Sequence, residues 1–271
     1  MTVARWAREW GFSMAGVSFG LLGPIRVRSG GEDLEAGSPQ QRGVLALLLL
    51  SEGRQVMLDE IVSALWGDQA PRSAVVSTRT YVSRLRRMLT AGGAAGAGTE
   101  AEIRSAGGGY QLVVDPGAVD VAVFRQATAA AREARARGDV AEAARLLRGA
   151  LALWRGPAFE GLGGSFFEGR RAWLEQLRAS AMEERWALDI ARGDCGEAIA
   201  DLMPATAAEP YRERLWELLM WALHRDGRRG EALSAYHRIA RLLDDNLGLQ
   251  PGPGLRRMYA RIRTAADASL V

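Results

Sequence analysis

Five arginines, Arg72, Arg79, Arg84, Arg86 and Arg87, fall in a stretch from Gln69 to Thr99 that holds no Asp or Glu. A guanidinium presents a rigid fork of donors that fits a guanine edge or a phosphate, and it stays charged at any physiological pH. At helical spacing, Ser73 to Leu89 (SAVVSTRTYVSRLRRML) puts Val75, Thr78, Val82, Leu85 and Leu89 on one side. Arg79, Thr80, Ser83, Arg86 and Arg87 fall on the other. Such a face suits the major groove of duplex DNA. Arg79, Thr80, Ser83 and Arg86 are expected at base edges, and Arg72, Arg84 and Arg87 at phosphates. A solvated helix face would look the same in isolation, so the surrounding elements decide.

Other chemistry is sparse. Gly107-Gly108-Gly109 lacks the following helix, Lys and Ser/Thr of a phosphate-binding loop. His224 and His237 have no second ligand at metal spacing, and Cys195 has no partner. Glu183-Glu184 and Asp244-Asp245 read as solvated helix charge. No nucleophile stands beside a base, so neither an enzyme nor a cofactor is expected. Trp154, Trp173, Trp186, Trp216 and Trp221 read as packing residues; a ligand pocket lined by some of them is the alternative.

The chain of 271 residues has room for two domains with cores, and its formal net charge of +3 says less than the local clustering. Every basic side chain other than the two histidines is Arg, as codon bias in a GC-rich genome produces. A single cysteine excludes an internal disulfide and fits the cytoplasm. No apolar run reaches the length of a membrane span, so no membrane partner is expected. Residues 1–16, with Trp6 and Trp10, form either a short amphipathic helix or an artefactual extension before Met14.

Around the basic helix, Val17 to Leu22, Ile25 to Val27 and Asp33 to Glu35 read as strands punctuated by Gly23-Pro24 and Gly30-Gly31. Ser38-Pro39-Gln40-Gln41 opens a helix carrying Val44, Leu45, Leu48 and Leu49. A second helix, Leu58 to Trp66, ends at Gly67, and a polar loop (Gly67, Asp68, Gln69, Ala70, Pro71, Arg72) leads to the basic helix. An Ala/Gly-rich connector, Ala91 to Glu102, is followed by a hairpin of Ile103 to Ser105 and Tyr110 to Leu112. This order predicts a winged helix over 17–115, with Arg104 on the wing as a phosphate contact or an exposed strand charge.

From Val119 onward, helical periodicity takes over. Gly138-Asp139, Gly193-Asp194 and Gly227-Arg228 are each followed by Glu-Ala, and the last two glycines are 34 residues apart, the tetratricopeptide period. The interval Gly156 to Phe167 reads as a long loop, and Pro251-Gly252-Pro253-Gly254 breaks the chain before a last helix. The expected fold is mainly α: an α+β winged helix-turn-helix domain, then an all-α tetratricopeptide-like helical-repeat domain over 119–271.

Together these residues resemble the SARP family (Streptomyces antibiotic regulatory proteins). The pieces are LLGPIRV at Leu21 to Val27, SPQQRGVLALLLL at Ser38 to Leu50, ALWGD at Ala64 to Asp68, YVSRLRRML at Tyr81 to Leu89 and GGYQL at Gly108 to Leu112. They continue as LALWRGPAF at Leu151 to Phe159, YRERLWELLMWALHRDGRRGEALSAY at Tyr211 to Tyr236 and LGLQPGPGL at Leu247 to Leu255. The resemblance implies an OmpR-type winged helix joined to a bacterial transcriptional activation domain. It further implies an activator of a secondary-metabolite gene cluster that binds promoter direct repeats as a homodimer and recruits RNA polymerase through its sigma factor or alpha subunit. Gly67 to Pro71 then becomes a polymerase-contact loop, or a plain connector. Met57 replaces the usual Ser/Thr cap, Val75-Val76 replaces polar residues, and no ATPase or receiver module is expected. A repeat-domain interaction scaffold and a ligand-responsive regulator are the alternative readings.

Overall fold

A computed structural model describes residues 16–92 and 101–264; the N-terminal extension up to residue 15 and connector residues 93–100 lie outside the described residues. Strands β1 (Val17–Gly20), β2 (Arg26–Ser29) and β3 (Glu32–Leu34) form an antiparallel sheet in that order, with Phe19 opposite Val27 and Val27 opposite Leu34. Helix α1 (Pro39–Leu50) starts where Ser38 Oγ accepts the Gln41 amide at 3.3 Å. It is apolar nearly all round because it is buried nearly all round, Gly43 through Leu49 without a gap. Next come β4 (Val56–Met57), α2 (Leu58–Trp66), a 3-10 turn at Gly67–Gln69, α3 (Ala74–Gly92) and the hairpin β5 (Glu102–Ala106) with β6 (Gly109–Val113). The second sheet has the order β4-β6-β5. Helices α1, α2 and α3 pack on one another. The basic helix is α3, and its buried stripe is Ala74, Thr78, Val82, Leu85 and Leu89. Val75, expected in that stripe, is exposed instead; Ala74 takes its place.

Among the described residues, seven helices follow a 3-10 turn at Pro116–Ala118: α4 (Asp120–Ala136), α5 (Val140–Leu151), α6 (Ser165–Arg192), α7 (Cys195–Ala208), α8 (Glu213–Arg225), α9 (Arg229–Leu247) and α10 (Pro253–Thr264). The described chain divides into two compact units that are not contiguous in sequence. One runs to Glu133 and takes in Arg145–Ala179; the other holds Ala134–Ala144 and the residues from Ser180 onward.

In the first unit, the chain around Gly23-Pro24 is sealed by residues far along the sequence. The buried Asp120 carboxylate accepts the Leu21 amide at 2.8 Å, the Leu22 amide at 3.0 Å and the Arg155 guanidinium at 3.0 Å. Arg155 also donates to the Pro24 carbonyl at 3.2 Å. The backbone amides of Arg155, Phe159 and Glu160 donate to the carbonyls of Leu22, Leu21 and Gly23. Burial pushes the Asp120 carboxyl above the usual carboxylate range, against the pull of its amide donors and Arg155. The interval expected as a long loop is thus folded onto the segment that follows β1, and its last residues, Ser165 to Phe167, already form the start of α6. Arg171 braces it by donating to the carbonyls of Ala158 (2.8 Å) and Leu162 (2.7 Å). Phe124 and Trp154 meet edge to face, with centroids 5.6 Å apart.

In the second unit the repeat glycines do one job. Gly138, Gly193 and Gly227 have φ of 82°, 95° and 80°, and after each the next amide reaches back to a carbonyl five residues earlier. That is the Schellman turn, which only a residue tolerant of left-handed backbone can make cheaply. Trp186, Ile190, Leu202, Trp216, Leu219 and Ile239 belong to this unit's core. Trp186 donates to Asp201 and Trp216 to the Pro210 carbonyl, so these tryptophans are packing residues with satisfied N–H groups. Trp173 departs from that expectation: it is exposed, with the Arg125 guanidinium over its ring. Glu183 is not solvated charge but a half-buried partner of Arg212 at 2.7 Å.

Candidate nucleic-acid interface

Helix α3 turns Arg72, Val76, Arg79, Thr80, Ser83, Arg84 and Arg87 outward. Arg72 precedes its first turn; the other six lie on it. Helix formation follows from the core stripe, in which the Thr78 hydroxyl is satisfied by donating to the Ala74 carbonyl at 2.9 Å. Thr80 donates likewise to the Val76 carbonyl at 3.0 Å, keeping its oxygen lone pairs for an outside donor. Arg72, Arg79, Arg84 and Arg87 have no hydrogen-bond or ion-pair partner among the described residues. Four unpaired guanidinium groups at one helix, with no carboxylate on it, make a cationic surface suited to a polyanion.

Arg86 stands apart from the other predicted base readers. It is half-buried, its Nε donates to the Ile103 carbonyl at 2.9 Å, and an Nη donates to Ser105 Oγ at 2.9 Å. Its guanidinium lies 5.8 Å from the Tyr110 ring centroid. Arg86 therefore ties α3 to the wing hairpin. Sequence spacing placed it with the outward arginines because it sits at the edge of the polar side, where the strand decides its direction.

The hairpin turns at Gly107-Gly108, with φ of 45° and 86°, as a tight two-residue turn requires. Gly109 pairs with Met57 so closely that a Cβ there would meet the Val56 carbonyl oxygen at 2.1 Å. Gln55 donates to the Ala106 carbonyl at 2.7 Å and Gln111 to the Gly53 carbonyl at 2.6 Å, fixing the hairpin base. Arg104 projects from β5, exposed and paired with Glu102 at 2.8 Å. Residues Gly67, Asp68, Gln69, Ala70 and Pro71 are all exposed between α2 and α3. At the start of α2, Glu60 accepts the Met57 amide at 2.8 Å, which lowers its carboxyl pKa with help from Arg54. Glu60 thus supplies half of a capping box while Met57 contributes no hydroxyl.

Elsewhere in the first unit, a groove of about 560 Å³ is lined by Leu49, Val113, Val119, Ala122 and Arg125 among others. Arg125 also pairs with Glu52. Cys195 is buried, and burial pushes its thiol up. Among the described residues no group of three His, Cys, Asp or Glu could hold a metal ion, and no helix is long and apolar enough to cross a membrane.

Comparison with known proteins extends this picture. The bacterial transcriptional activator domain family matches residues 119–263. The regulatory protein AfsR of Streptomyces coelicolor is 43% identical over 251 residues, covering 92% of this chain and 24% of AfsR, so the chain spans about a quarter of that relative. The regulatory protein DnrI of Streptomyces peucetius is 33% identical, covering 90% of this chain and 91% of DnrI. A solved structure of Mycobacterium tuberculosis EmbR in complex with a low-affinity phosphopeptide superposes with a TM-score of 0.85 at 34% identity, over 92% of this chain and 65% of that one. That likeness agrees with a small N-terminal β portion followed by tetratricopeptide-like helices. The match to the activator-domain family and to DnrI along nearly its whole length places the chain in the SARP family of transcriptional regulators.

Proposed function

We propose that the protein is a DNA-binding transcription activator whose helix α3 enters the major groove. The observation that carries this reading is the row of unpaired arginines on α3 beside a tethered wing. Arg79, Thr80 and Ser83 read base edges, Arg72, Arg84, Arg87 and Arg104 hold phosphates, and Arg86 acts by positioning the wing. Gly67 to Pro71 face the polymerase, contacting its sigma factor or alpha subunit. Family membership supports the rest: a homodimer on promoter direct repeats, in the cytoplasm, serving a secondary-metabolite cluster.

Titrating the full chain against promoter duplexes of its own gene neighbourhood tests this. With about four phosphate contacts per protomer, log affinity should fall with log salt at a slope near −3.6 per protomer, and Arg87→Ala should flatten it by about 0.9. Arg79→Ala should instead relax the preference at one base by about 1–3 kcal/mol. Salt-insensitive binding, or equal retardation of all duplexes, would refute the reading. The apolar groove beside α1 favours a second reading, a ligand-responsive activator. Thermal-shift measurements against pathway intermediates should then show a stabilised protein, and no shift would remove this reading.

A further inference from the structure

Val76 is 65% exposed, the highest fraction among the exposed large hydrophobic side chains of the described residues. It lies in the first turn of α3, on the outward side of the helix. Ser83 and Arg87, seven and eleven residues on, lie within about 20° of it around the helix axis, and Arg79 and Thr80 flank it one turn away. The stripe of Ala74, Thr78, Val82, Leu85 and Leu89 lies opposite. Fold stability gives no reason for a valine there: a β-branched side chain in an exposed first turn loses rotamer freedom and gains no burial. Val75 beside it is 40% exposed, so the helix enters with an apolar tip framed by cations.

An apolar group in the middle of a groove-facing surface has one natural partner on duplex DNA. In the major groove a T·A pair presents the thymine C5-methyl, the only apolar feature on any base-pair edge there. We infer that Val76 is a specificity-determining residue that packs on a thymine methyl, favouring thymine at one position of each half-site. This rests on the reading of α3 as the groove-entering helix. Val76 reads shape and apolarity where Arg79 and Thr80 read donors and acceptors, so the preferred site should combine a thymine with neighbouring guanine contacts.

The test uses the full chain and a duplex selected by it from a randomised library. Each thymine is replaced in turn by deoxyuridine, which removes the methyl and keeps the pairing and the O4 acceptor. The native protein should bind about fourfold more weakly at one thymine per half-site, the effect of one methyl-sized group taken from water. Val76→Ala, an exposed change that leaves the core untouched, should bind thymine and deoxyuridine duplexes alike, and Val76→Ile should keep the difference. The inference is overturned if deoxyuridine is tolerated at every position by the native protein, or if the penalty persists undiminished in Val76→Ala. If the library enriches no sequence at all, the DNA-reading function falls and this inference with it. Enrichment without methyl dependence removes the inference alone.

Discussion

Replacing Asp120 by Ala should be among the most damaging single changes in the first unit. Asp120 is 3% exposed, and its carboxylate accepts two backbone amides. Each buried N–H left without a partner costs about 1–3 kcal/mol. The Arg155 side chain, 28% exposed, would lose its counter-ion while keeping only the Pro24 carbonyl. Removing the desolvation of a buried carboxylate offsets part of this, and a net loss of about 3–5 kcal/mol is expected, as for other broken buried pairs. With a urea m-value of about 3 kcal/mol/M, the midpoint should fall by roughly 1–1.7 M. Urea titration reports the total, and amide exchange at Leu21 and Leu22 reports the place. Asp120→Asn should also destabilise, because its amide nitrogen turns a donor toward donors. Adding Arg155→Ala to Asp120→Ala should cost less than the sum of the single changes. A loss below about 1 kcal/mol with unchanged exchange at both amides would show that Asp120 does not hold this segment.

Three further outcomes are expected. Arg86→Ala should loosen the wing by about 0.5–1.5 kcal/mol per lost hydrogen bond and weaken all DNA sequences alike; a change of preference at one base in a binding-site selection would make Arg86 a base reader after all. Arg86→Lys should not rescue it, since an ammonium cannot span the Ile103 and Ser105 acceptors as a fork. Met57→Thr should raise stability by about 1 kcal/mol by giving α2 its missing hydroxyl cap, read as a higher melting temperature. Cys195, protonated at neutral pH because its pKa is raised, should resist iodoacetamide in the folded protein and react fully in denaturant; rapid native alkylation would contradict its burial.

Much of this architecture was legible from local signals. Ser38-Pro39 starts α1, Gly67 ends α2, and the three repeat glycines end helices with the same turn, because each depends on backbone geometry within a few residues. The outward row of α3 was legible for the same reason, apart from its edges. Val75 and Arg86 were misplaced because the 3.6-residue period leaves edge positions undecided until a neighbour claims or ignores them. Strand β4 is two residues long, too short to carry an alternation. The sealing of Leu21 and Leu22 by Asp120 and Arg155 had no sequence signal, since Asp120 lies 98 or more residues from the amides it accepts and Arg155 lies 131 residues from the Pro24 carbonyl it donates to.

That seal bears on how such regulators can be rearranged. The activator-domain match begins at residue 119, one residue before the carboxylate that completes the β1 region. An N-terminal fragment cut at that boundary would leave Leu21, Leu22 and Gly23 facing water where Asp120 and the Arg155 to Glu160 segment had been. Exchanging N-terminal portions between relatives should therefore succeed when the transplanted piece extends through about Ala179, the end of the first unit, and fail when it stops near Asp115. The place where the activator-domain match begins is, in this molecule, the inside of one folded unit.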